Sequence, residues 1–72
     1  MIDALKIEIA DWLLAHRRIT AQERKLLVVE NGVIVDDSKF PVDICDNGDV
    51  YIHRRGAYPV KVSRSERIHC RA

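Results

Sequence analysis

The stretch Leu26-Leu27-Val28-Val29-Glu30-Asn31-Gly32-Val33-Ile34-Val35 decides the fold, because it admits two readings. As helix it would stop at Gly32, since glycine adopts the left-handed conformation in which many helices end. As strand it would turn at Asn31-Gly32, a pair suited to the positive φ angles of a type I′ hairpin. Val28-Val29 on one side and Val33-Ile34-Val35 on the other are β-branched and favour pleated backbone. We therefore read the stretch as a hairpin, which puts sheet from about residue 28 onward and confines long helix to the residues before it.

The residues downstream continue the sheet. Phe40-Pro41-Val42-Asp43-Ile44 and Val50-Tyr51-Ile52-His53 flank Asp46-Asn47-Gly48-Asp49, a second turn signal. With Asn47-Gly48 as a two-residue loop, Ile44 faces Tyr51 and Val42 faces His53, all on one side. Gly56-Ala57 then turns the chain into Tyr58-Pro59-Val60-Lys61-Val62, where Val60 and Val62 are expected inward and Lys61 outward. Pro41 and Pro59 cannot donate to a ladder, so each belongs at a strand start or an edge. Ser63-Arg64-Ser65-Glu66 has capping-box spacing and predicts a short helical turn through about His69.

Upstream, Ile2 to Ala15 is predicted as helix, ending in the cations His16, Arg17 and Arg18 at the negative end of its dipole. Thr20-Ala21-Gln22-Glu23 is another capping box and starts a short turn. The long helix carries two apolar stripes, Ile2, Leu5, Ile9, Trp12 and Leu13 on one side and Ile7, Ala10 and Leu14 roughly 140° away. The first is expected to pack on Val42, Ile44, Tyr51, Val60 and Val62. The fold class is thus α+β, an N-terminal helix packed on a small antiparallel β-meander with a short C-terminal helical turn, as a single domain over residues 1–72.

A chain of 72 residues buries only a modest fraction of its surface, so a partner is a natural supplement to its stability. The second stripe, Ile7, Ala10 and Leu14, together with Trp12, is the expected partner-binding surface, covered by another protein or a second copy. Apolar residues are 47% of the chain and charged residues 32%, the balance of a folded domain rather than a disordered one. Runs such as Leu26 to Val29 and Trp12 to Ala15 fall far short of a membrane span, and acidic groups lie where a signal peptide would be basic. The chain reads as cytosolic, and its cysteines, Cys45 and Cys70, are too few for a disulfide scaffold.

The net charge of +1 conceals a strong polarity along the chain. Residues 1–29 carry +1, residues 30–50 carry −5 and residues 51–72 carry +5. Opposed acidic and basic strands in one sheet account for this, each facing pair contributing about 0.2–1 kcal/mol. The alternative is nucleic-acid binding, with Arg54, Arg55, Lys61, Arg64, Arg67 and Arg71 neutralising phosphates and Tyr58 stacking on a base. In this region Ala57-Tyr58-Pro59, the strand Val60-Lys61-Val62 and Arg64 before a helix are loosely similar to the end of the small RNA-binding carbon-storage regulators. The family's amino-terminal strand, with its paired arginines and Gly-Glu, is missing. The resemblance implies Arg64 as an RNA contact.

Chemistry leaves little trace in the sequence. Gly32, Gly48 and Gly56 are isolated turn glycines, and neither G-x-x-x-x-G-K-[ST] nor G-x-G-x-x-G occurs. Cys45, His53, His69 and Cys70 include zinc-ligand types, yet lack the paired spacing of a zinc site. Asp36-Asp37 with Asp43, Asp46 and Asp49 lacks the register of a calcium loop. Ser38, Ser63, Ser65 and Thr20 sit in turns or caps, with no base placed beside them. The expectation is a non-enzymatic protein without metal or cofactor, an inhibitor or adaptor occupying a surface on a larger partner. Its size suits the small accessory inhibitors of phages and mobile elements by analogy only.

Overall fold

The computed structural model describes residues 2–69, and for Ile2 and His69 it places the backbone only. It is α+β, in the order α1 (Ile2–Ala15), α2 (Ala21–Lys25), β1 (Val28–Glu30), β2 (Val33–Asp36), β3 (Val42–Ile44), β4 (Val50–Ile52), β5 (Val60–Val62) and α3 (Arg64–His69). The chain divides into two compact units, residues 1–40 and residues 41–72. Each contains its own antiparallel sheet, β1-β2 in the first and β3-β4-β5 in the second.

In the first unit the decisive stretch is a hairpin. Asn31 and Gly32 take φ angles of 55° and 76°, and Glu30 pairs with Val33 and Val29 with Ile34 around them. The register then shifts between Val28 and Val29, so that Val28 pairs with Asp36. α1 packs on both β2 and α2. At β2 the Asp3 carboxylate accepts the Ile34 N–H at 3.0 Å, and Lys6 donates to Asp37 at 2.6 Å. At α2 the Arg24 guanidinium donates to Asp11 at 2.9 Å and also to the Leu27 carbonyl. Thr20 and Glu23 form both halves of the expected capping box.

α1 ends in a Schellman motif. The Arg18 N–H reaches the Leu13 carbonyl at 2.8 Å and the Arg17 N–H reaches that of Leu14 at 3.1 Å, with Arg17 at φ 58°. Arginine thus occupies the left-handed position where glycine is free of steric cost.

The buried side of α1 corrects the two-stripe expectation. Ile9, Ala10 and Leu13 are buried, and they lie within an arc of about 100° that straddles the adjoining margins of both stripes. Ala10, expected on the partner-facing stripe, is completely buried by the chain itself, while Leu5, expected in the core, is 51% exposed. Neighbouring elements meet the helix where the two stripes adjoin, which leaves Leu5 and Trp12 on one flank and Ile7 and Leu14 on the other. Ile2, the remaining member of the first stripe, has its side chain outside the described residues.

In the second unit the β3-β4 connection is one residue longer than the sequence suggests. Gly48 donates to the Cys45 carbonyl at 2.9 Å and Cys45 to that of Asp49 at 2.8 Å, with Gly48 at φ 92°. Asp46-Asn47-Gly48 is therefore a three-residue loop, a turn followed by a left-handed glycine. The register becomes Val42↔Ile52, Asp43↔Tyr51 and Ile44↔Val50. Because side chains alternate, the extra loop residue moves Tyr51 to the opposite face from Ile44, alongside Asp43 and Lys61. Val42, Val50, Ile52 and Val62 are buried on the apolar face, whereas Val60, expected in the core, is 44% exposed on the outer strand β5.

Candidate interaction surface

The acidic and basic segments meet within the second unit, as opposed strands allow. His53 Nε2 lies 2.9 Å from Asp43, and Lys61 Nζ lies 3.6 Å from Asp49. Asp49 also accepts the backbone N–H of Arg64 at 2.8 Å, and that bond above all, with Lys61 nearby, holds its carboxyl below the usual carboxylate range. Ser63 caps α3 by accepting the Glu66 N–H. From α3, Arg67 donates to the Gly48 carbonyl, and the Arg64 side chain lies so close to Gly48 that a Cβ there would stand 2.5 Å from its Cδ. α3 thus grips the β3-β4 loop through its first turn.

This division splits the expected nucleic-acid set. Lys61, Arg64 and Arg67 are engaged around Gly48 and Asp49. Arg54, Arg55 and Tyr58 lie on the β4-β5 connection, where Ala57 donates back to the Arg54 carbonyl across a turn with Gly56 at φ 76°. Tyr58 is 92% exposed. Gly56, Ala57 and Tyr58 line one shallow, open surface. Arg71 lies outside the described residues.

The expected partner surface is divided as well. Trp12 stacks on His16, with ring centroids 3.9 Å apart and planes 18° from parallel. Ile7 and Leu14 are half-buried on the other flank of α1, and Ala10 is covered. The four side chains do not form one patch.

A surface that the sequence reading passed over does form one. Val28, Val33 and Val35 are 40%, 55% and 57% exposed on the outward face of the β1-β2 hairpin. Glu30, paired with Val33, and Asp36, paired with Val28, are exposed on that same face. The bulge makes this possible, since it sets Val35 and Asp36 together opposite Val28 instead of alternating them. Asp36 also accepts the Ser38 N–H at 3.0 Å, which chiefly lowers its pKa, so its charge persists into more acidic solution than that of an ordinary aspartate. The spacing Val33-Ile34-Val35 signals that the two valines share a face, but the bulge that adds Asp36 has no mark in the sequence.

Metal-ligand geometry is not assembled among the described residues, where no three His, Cys, Asp or Glu side chains converge. Cys45 is exposed in the β3-β4 loop and His53 is turned to Asp43, while Cys70 and the His69 side chain fall outside the described residues. Among these residues no helix is long and apolar enough to cross a membrane. Comparison of the chain with protein-family models, curated proteins and solved structures found no match.

Proposed function

We propose that the protein is a small non-enzymatic protein-binding module and that the outward face of the β1-β2 hairpin is its contact surface. The observation that carries this reading is the clustering of three exposed valines between two carboxylates. A chain this small has little apolar area to spare, and apolar patches rimmed by charge are the usual mark of a protein contact site. Valine is also rigid at χ1, so ordering this face in a complex costs little entropy.

The test is affinity capture from native lysate, with and without nuclease, comparing wild type with Val33→Asp. The reading expects a protein retained by wild type, lost with Val33→Asp and indifferent to nuclease. Capture that vanishes with nuclease and survives Val33→Asp would replace it with nucleic-acid binding through Arg54, Arg55 and Tyr58.

A further inference from the structure

Resting on that reading, we infer that the hairpin face is occupied by the β4-β5 turn of a second copy of this chain. The face itself states the chemistry of its partner. Its centre is apolar and its two ends, Glu30 and Asp36, are anionic, with no cation among its strand residues. Two copies of the face packed on each other would gather four carboxylates around one small apolar contact, so like does not cover like. The occupant needs an apolar or aromatic group flanked by cations.

The chain carries such a group. Between Val50 and Ser65 there is no Asp or Glu, and the turn presents Arg54, Arg55, Ala57 and Tyr58, all exposed. Among the described residues Tyr58 is the most exposed of the large apolar side chains, at 92%. Tyrosine and arginine are, with tryptophan, enriched among the residues that dominate interface energy. Glu30 and Asp36 on the face and Arg55 on the turn carry the opposite charges that the match needs. Tyr58 of one copy lies across Val33 and Val35 of the next, while Arg55 approaches Glu30 or Asp36.

The two halves of this contact are different surfaces, and every copy carries both. Two copies that exchange both halves about a two-fold axis close as a dimer, whereas head-to-tail joining leaves one half open and continues until a ring closes. The charged component is screened by salt, because the Debye length falls from about 10 Å at 0.1 M to about 3 Å at 1 M.

Sedimentation velocity of the purified chain tests this. The weight-average sedimentation coefficient of wild type should rise with concentration at low salt and fall back as salt is added. Val33→Asp damages only the face, as does Glu30→Lys with Asp36→Lys, which keeps the valines; Arg55→Glu with Tyr58→Ala damages only the turn. Each variant alone should be monomeric, with circular dichroism confirming that it is folded. An equimolar mixture of a face variant and the turn variant should restore one contact and stop at two chains. Wild type that stays monomeric at every concentration overturns the inference, as does a mixture that stays monomeric or a variant that assembles like wild type. Monomeric wild type that still captures a protein through Val33 would leave the binding reading standing and refute only self-association.

Discussion

Replacing Gly48 with alanine separates two costs that the structure assigns to one residue. Gly48 has φ 92°, and an added Cβ would stand 2.5 Å from Arg64 Cδ and 3.1 Å from its Cγ. Gly56 has φ 76° with nothing within 4 Å of its Cβ position, so it carries the backbone cost alone. Left-handed backbone costs an alanine about 1–2 kcal/mol, the value expected for Gly56→Ala. Gly48→Ala adds the displacement of Arg64, whose backbone is held by Asp49, at the lower end of the overpacking range, about 1 kcal/mol. In a domain this small, about 1 kcal/mol separates melting temperatures by about 4–8 °C. Thermal and urea unfolding of both variants gives the difference, and Gly48→Ala combined with Arg64→Ala should remove most of it. Equal destabilisation by Gly48→Ala and Gly56→Ala would refute the close approach of α3 to the loop.

Ile9 is 2% exposed, so Ile9→Ala should cost about 2–5 kcal/mol, enough to leave much of the protein unfolded at 37 °C by circular dichroism. Arg17→Gly should instead stabilise by about 1 kcal/mol, raising the urea midpoint, because it relieves a left-handed arginine at the end of α1. Asp49 has a lowered pKa in the folded state, so its contribution is complete above the ordinary aspartate value of about 3.9 and is lost as pH falls through the lowered one. Urea midpoints of wild type and Asp49→Asn should accordingly converge in strong acid and separate towards neutrality.

Residues whose conformation is set locally were legible in the sequence. Asn31-Gly32 announced its turn because few other pairs accept two consecutive positive φ angles, and Thr20 with Glu23 announced a helix start through hydrogen bonds spanning three residues. Asn47-Gly48 carries the same letters yet forms a longer loop, in which the Asn47 side-chain oxygen accepts the Asp49 N–H and Gly48 lies against Arg64, a residue far along the chain. That single additional residue transferred Tyr51 to the other face. The burial of α1 was hidden for a similar reason: periodicity identifies which residues are apolar, while Asp3, Lys6 and Asp11, through Ile34, Asp37 and Arg24, fix where the neighbouring elements attach. The nucleic-acid candidates separated because charge counts carry no information about which cations a carboxylate already holds, as Asp49 does with Lys61.

The bulge opposite Val28 bears on how an exposed apolar ribbon stays out of aggregates. Val33-Ile34-Val35 is β-prone and uncharged, the kind of segment that nucleates stacking between unrelated chains. A regular strand would turn Asp36 away and leave the outward side of that segment without a charge at its open end. Holding Asp36 beside Val35 makes it a gatekeeper, whose hydration must be stripped before a flat apolar sheet can settle on the valines. A cation brought to the same spot would offset that loss by its attraction to the carboxylate, so one irregular step in a four-residue strand sets which charge the surface tolerates beside it.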